Sequence, residues 1–368
     1  MRTQKRPDSA RCFHLLSLLG LSTDRATPKC DPSWHTHEQI TNLVSELEDS
    51  EWSELLTLAG KNHALLRTLP KLMSLPSAGR PDRISRAIEA EQDRIDHALG
   101  FLESICSSLS EAGKVVVIKT LDHWPDFGSD LDLYTDAASR DVIAIMQDQF
   151  KARVANPSWG DRLANKCNFE VPGLPELVEV HIRRLGQTGE QSRIGRYLMA
   201  RAREGKFGGR SFLVPSPEDR MIISTLQRMF RHFYIRLCDV LNLCRSADED
   251  RIDYDYLHSL AKPAGLWEGV ATYLNIVSAF VEGYRGRGMQ LPASLKAAAQ
   301  FGGEKIRFGK QFLRIPIVPH SARLYAAELK ELLWSGELEN SLRLGLLPFL
   351  ATAAAVEYKI TGSDKGIW

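Results

Sequence analysis

Apolar side chains recur along this chain with two different periods, and the change of period divides it into three. Residues 1–112 and 215–368 carry apolar positions mostly three and four apart, the spacing of helices with one buried stripe. Residues 113–214 carry β-branched runs and alternating apolar and polar positions, the spacing of strands, with a helical stretch between them. The pattern predicts an α+β fold: an α/β core at 113–214 between an N-terminal and a C-terminal helical region.

In the first region, Trp52, Leu55, Leu56, Leu58, Ala59, Leu65 and Leu66 lie at helical spacing over residues 51–69. Residues 74–80 read as a loop, and Pro81 suits the first turn of a following helix. Over residues 82–111, Ile84, Ile88, Ile95, Leu99, Leu102, Ile105 and Leu109 form one stripe that reads as core, with Gly113 as a stop.

In the middle region, Val115-Val116-Val117-Ile118 reads as a buried strand. Lys119 and Thr120 end it. A polar connection through Trp124, Pro125, Asp126, Phe127 and Gly128 leads to Ser129-Asp130-Leu131-Asp132-Leu133-Tyr134. Asp130 and Asp132 are two apart, so a strand directs both to one face. Two carboxylates on one face repel, and a hard divalent cation is the usual resolution. Asp136 is expected to cap a helix holding Val142, Ile143, Ile145, Met146 and Phe150, and 156–160 to form a loop. Strands are expected at 166–171 and 177–182, joined by a turn at Pro172-Gly173-Leu174-Pro175. The second reads Leu177-Val178-Glu179-Val180-His181-Ile182, which sets Glu179 and His181 on one face. Glu179 is either a third carboxylate of a phosphoryl-transfer site or a solvated residue of an edge strand.

Ser216-Pro217-Glu218-Asp219 has the cap, the first-turn proline and the acids of a helix start. Arg228, Arg231, His232 and Arg236 follow, interleaved with Phe233 and Tyr234. They could grip an anion through their guanidinium forks, or form a solvated helix face with Asp239 as an internal partner. Another basic, Gly-punctuated stretch runs from Phe301 to Arg314.

The strand, turn and Asp-x-Asp of residues 115–134 resemble the DNA polymerase β-like nucleotidyltransferase superfamily. Lys119-Thr120 stands where many members have Gly-Ser. This fits the branch of uncharacterised bacterial nucleotidyltransferases whose turn reads Leu-Lys-Gly. The Val-Glu-Val-His of residues 178–181 resembles the strand that supplies that branch's third acid. Arg236-Leu237-Cys238-Asp239-Val240-Leu241 is similar to its second C-terminal helix, and residues 252–257 to the segment after it. The resemblance implies a nucleotidyltransferase-like small mixed sheet. It implies Mg²⁺ (or Mn²⁺) on Asp130, Asp132 and Glu179, and an NTP as substrate. Lys119, Thr120 and Ser129 would meet its phosphates, with Arg228, Arg231 and Arg236 holding triphosphate or an anionic acceptor. The expected reaction moves a nucleoside monophosphate to an acceptor hydroxyl of a small molecule and releases pyrophosphate. A protein acceptor, as in toxin-like or regulatory nucleotidyltransferases, is one alternative. A non-catalytic nucleotide-binding or scaffold protein is the other, because Thr120 cannot give the backbone access that Gly gives.

Composition narrows the partners. Of 368 residues, 43% are hydrophobic and 25% charged, as in ordinary globular chains, and the net charge of +1 argues against stable nucleic-acid binding. The six cysteines form no Cys-x-x-Cys pair and read as reduced thiols of a cytoplasmic protein. His35-Thr36-His37 lacks a third ligand nearby and reads as exposed loop. The apolar segment near the N-terminus is a poor signal peptide, and the apolar run 344–356 is too short for a membrane span and is expected as a buried helix. No Walker A loop, Gly-x-Gly-x-x-Gly, kinase signature or Gly-x-Ser-x-Gly elbow is present, which disfavours P-loop, dehydrogenase and serine-hydrolase chemistry.

Overall fold

The computed structural model describes residues 7–22, 37–74, 81–249 and 252–361. His35, Thr36, Cys30 and the loop tip 75–80 lie outside the described residues. The fold is α+β, with a mixed five-stranded sheet in the middle and helical regions on either side in sequence. The strands are β1 (Val115–Val117), β2 (Asp130–Thr135), β3 (Arg153–Val154), β4 (Lys166–Glu170) and β5 (Leu177–Ile182). Their order is β1-β2-β5-β4-β3. β2 and β5 run parallel, while β1 and β2, β5 and β4, and β4 and β3 pair antiparallel. The β4–β5 connection is the expected turn, with Gly173 at φ +82°, a conformation open to glycine.

Strand alternation gives the sheet one apolar and one polar face. Val115, Val117, Leu131, Leu133, Phe169, Val178 and Val180 point to one side and are buried there. Leu99, Leu102, Ile105 and Leu109 of the helix Pro81–Leu109 cover them, with Val142 and Met146 of the helix Ser139–Phe150. Each such leucine contributes about 1.5–3 kcal/mol by leaving water. A hairpin of β6 (Arg203–Phe207) and β7 (Arg210–Val214) adds Phe212 and Val214 to this core.

The second core joins the two helical regions. The helix Ser9–Leu21 packs on Trp267–Arg285, where Phe13 meets Phe280 edge-on at 6.4 Å and Arg285 Nε donates to the Leu21 carbonyl at 3.0 Å. Residues distant in the chain thus complete each other's apolar stripes, and the inner edge of this core meets the sheet's polar face through Val116, Ile118 and Tyr134.

Several local expectations are corrected. The run 51–69 is two helices, Asp49–Lys61 and Leu65–Met73, broken where His63 takes φ +45°. Asn62 there gives its carbonyls to Leu237 N and Cys238 N of another helix, so a tertiary bond replaces helix continuity. Asp136 caps no helix; its Oδ1 accepts from Lys114 N at 2.8 Å, and Ala138 stands at the N-cap. The loop at 156–160 turns into a helix at Trp159–Ala164, whose N-cap Ser158 forms a capping box with Asp161. Ser216 caps Pro217–Thr225 as expected, and the chain continues as the π-wound segment Leu226–His232. The basic stretch after Phe301 forms a hairpin, Arg307–Gly309 with Phe312–Arg314, that pairs with Tyr234–Ile235. The apolar run near the C-terminus is helical but largely exposed: Phe349 is 74% exposed, and within the helix Leu347–Thr361 Ala354 is buried. That helix packs on the neighbouring helix Leu338–Gly345. No described helix is long and apolar enough to cross a membrane. The described cysteines are free thiols.

Candidate active site

The parallel pairing of β2 and β5 builds the polar face. Its register sets Asp132 opposite Glu179, Asp130 opposite Leu177 and Tyr134 opposite His181. Because alternation keeps every second residue on one face, Asp130, Asp132, Glu179 and His181 share it. On the other side of β5, Lys166 pairs with His181 and Asn168 with Glu179, so both join that face.

Asp132, Glu179 and His181 bring one ligand-type atom each within 4.8 Å of one another. His181 is 5% exposed, and its Nε2 lies 3.8 Å from both Asp132 Oδ1 and Glu179 Oε2. Among the described residues neither ring nitrogen has a hydrogen-bond partner. Asp130 stands beside this group, half-buried. Burial, then the charges of Asp132 and Glu179, push its carboxyl up to about 6. Burial also pushes on Asp132, but Lys119 and His181 outweigh it and hold the carboxyl at about 2. Glu179 is likewise held low by Lys119, Lys166 and His181, against burial and Asp132.

Two lysines neutralise these acids. Lys119 Nζ pairs with Asp132 Oδ1, and Lys166 Nζ bridges Asp161 at 2.8 Å and Glu179 at 3.3 Å. Lys119 ends β1's extension in the left-handed region, φ +60°, a conformation usual for Gly. Thr120 is fully buried; its hydroxyl donates to the Asp130 carbonyl at 3.0 Å and accepts from Asp132 N at 2.7 Å. That hydroxyl therefore holds the turn against the Asp-x-Asp strand and has no proton left for another acceptor. Ser129 is exposed at the strand's entrance.

The three arginines separate. Arg231 lines a cavity of about 40 Å³ with Lys119, His181, Gln187 and Phe230, beside the acids. This space suits an ion and its waters rather than a nucleotide. Arg228 is 1% exposed and pairs with Asp239 through Nε at 2.7 Å and Nη2 at 3.1 Å. Arg236 precedes the helix Leu237–Asp248 and faces His63 Nε2 at 2.6 Å. Lys166 and Asp161 were not foreseen as site residues. The alternation of 166–170 carries Lys166 onto one face, but only the pairing with β5 shows that this face holds the acids.

A second group of metal-type side chains lies in the helical part. His123, Cys238 and Asp239, all buried, also bring ligand-type atoms within 4.8 Å of one another. His123 Nε2 is 3.7 Å from Cys238 Sγ, and its Nδ1 is 2.7 Å from Asn242 Nδ2. Burial, His63 and the cations Arg67, Arg228 and Arg236 hold His123 well below the usual histidine range, hence neutral. Both Asp239 oxygens are committed, to Arg228 and to the Arg236 backbone N–H.

No protein-family model, curated protein or solved structure matches this chain.

Proposed function

We propose that the chain is a divalent-metal-dependent nucleotidyltransferase. It would move a nucleoside monophosphate from an NTP to an acceptor hydroxyl and release pyrophosphate. The observation that carries this reading is the parallel β2–β5 register, which puts Asp132 opposite Glu179 with Asp130 on the same face.

The residues fit a divalent cation. Among the described residues the buried ring nitrogens of His181 have no hydrogen-bond partner, its Nε2 lies 3.8 Å from two carboxylates, and carboxylate oxygens suit Mg²⁺ or Mn²⁺. Asp130, Asp132 and Glu179 would hold the ion, with His181 beside it. Bound there, it would supply neutralisation of phosphate charge. Lys119 and Arg231 are cations of the same space and would pair with phosphate oxygens. Glu179 would take the proton of the attacking hydroxyl. The hydroxyl oxygen bonds the α-phosphorus as the bond to the β-phosphate oxygen breaks. A small-molecule acceptor is the first choice and a protein acceptor the second.

One observation favours a different class. Lys119 and Lys166 already neutralise Asp132 and Glu179, as in a nucleotide-binding or scaffold protein without catalysis. Pyrophosphate release separates the two. Each NTP is incubated with Mg²⁺ or Mn²⁺ and a metabolite extract, beside an Asp130→Asn/Asp132→Asn control. Release by the wild type alone supports the transferase. NTP binding with metal but without release supports the scaffold, and no binding by the wild type sinks the site.

A further inference from the structure

Beyond Asp132, the polar face of β2 continues to Tyr134, and there the surroundings change. Tyr134 is 2% exposed, and its ring packs with Ile194 and Leu198 of the helix Ser192–Arg201. A Cβ on Gly195 would stand 1.9 Å from the Tyr134 hydroxyl, so this helix clears the phenol only because position 195 has no side chain. Past Gly195 the residue lines a cleft of about 700 Å³, well within the size of small-molecule sites. Among the described residues, the hydroxyl has no hydrogen-bond partner, although the ring around it is buried. The ring is buried while the hydroxyl opens onto the cleft, so a rigidly held donor and acceptor is presented to whatever enters it.

The charges around that hydroxyl are Asp136, Arg196, Arg183 and Arg184. They are not equally free. Asp136 already accepts from Lys114 N. Arg184 is taken up by Glu339 at 2.6 Å, Asn340 and the Gly189 carbonyl. Glu337 accepts from Asn340 at 2.9 Å, and Glu339 is shared with Arg343. Two guanidinium groups remain. Among the described residues Arg183 uses only Nε of its guanidinium, which donates to the Asp136 carbonyl at 2.8 Å. Arg196 is exposed and makes no ion pair or hydrogen bond among the described residues. Arg183 is also held at φ +60°, a strained conformation for a non-glycine residue of roughly 1–3 kcal/mol. Its N–H bond to the Thr135 carbonyl at 2.9 Å and the Nε bond together impose it. The acids of the cleft are thus committed to internal partners, while two forked donors and a phenol hydroxyl are uncommitted.

We propose that this cleft is a binding site for a small phosphate monoester, with Arg183 and Arg196 on the phosphate oxygens and the Tyr134 hydroxyl bonded to the ligand. Guanidinium forks match phosphate oxygens, and the cleft leaves room for an organic body the size of a sugar. The site does not depend on the nucleotidyltransferase reading, since none of its three groups belongs to the acid cluster.

Calorimetric titration of the full chain with glucose 1-phosphate, in metal-free buffer, tests it. Saturable binding is expected. It should weaken at least tenfold in Arg183→Ala/Arg196→Ala and measurably in Tyr134→Phe, while Lys119→Ala binds as wild type. Arg183 and Arg196 are exposed, and a thermal melt of the double variant checks that it is folded; Arg196→Glu alone gives the same loss without touching the Arg183 backbone. Glucose should not bind, and glucuronate should bind more weakly. No saturable binding, binding unchanged in the arginine variants, loss only in Lys119→Ala, or equal affinity for glucuronate each overturns the proposal.

Discussion

Two groups of side chains in this molecule have the residue types and spacing of a metal site, Asp132-Glu179-His181 on the sheet and His123-Cys238-Asp239 among the helices. Their surroundings differ in the balance of charge. Around the first stand further acids, Asp130 and Asp161, and the neutralising cations are lysines on flexible stems. Around the second stand Arg67, held by Asp126 at 2.8 Å, with Arg228 and Arg236, and the group's own carboxylate is already held by Arg228. A guanidinium does not lose its proton, so a cation there would meet fixed positive charge. Residue type alone would rank the two groups equally. The charge that surrounds them gives the first a deficit a cation can fill and makes the second a structural knot.

The largest effect should come from breaking that knot. Asp239→Ala would leave Arg228 buried without its partner, at a cost of about 3–5 kcal/mol. Urea denaturation measures it, and a loss under about 1 kcal/mol would mean that the pair is not structural. Next, Asp130→Asn/Asp132→Asn should reduce Mn²⁺ affinity, followed by electron paramagnetic resonance, by more than the ~100-fold typical of supporting residues alone. His123→Ala should leave Mn²⁺ affinity unchanged; a parallel loss would erase the distinction between the groups. A smaller effect is expected of Thr120→Val, which removes the hydroxyl between Asp130 O and Asp132 N and should cost about 1–3 kcal/mol. A neutral result in thermal melts would mean that the turn holds without it.

The smallest effect is a slope. Burial and nearby charges hold His63 and His123 well below 6.5. Below that pH the unfolded chain takes up protons that the folded chain refuses. Their contribution is therefore present above pH 6.5 and is lost as pH falls, by about 1.4 kcal/mol per pH unit for each histidine. His123→Asn should remove one such slope between about pH 6 and 5 in urea titrations. An unchanged slope would show that His123 is not held neutral by the arginines.

Much of this was legible from spacing. The stripe Ile95-Leu99-Leu102-Ile105-Leu109 lies on the sheet's apolar face, and Ser216-Pro217 starts a helix, because both depend on neighbours within a few residues. The break at His63 was not legible, since its cause is a bond to Leu237 and Cys238 far along the chain. Nor was the exposure of the run near the C-terminus, which depends on what lies against it rather than on its own apolarity.

By itself, the sequence determined which residues could share a face: Asp130 with Asp132, Glu179 with His181, and Lys166 with Asn168. That follows from the two-residue period of a strand, a purely local property. Only the tertiary structure decided that these three faces are one face, because strand order and register are set by contacts between segments tens of residues apart. The same contacts divided the arginines, burying Arg228 against Asp239 and leaving Arg231 beside the acids. A side chain's type travels with the sequence; its charge environment is made by whichever distant segments fold against it.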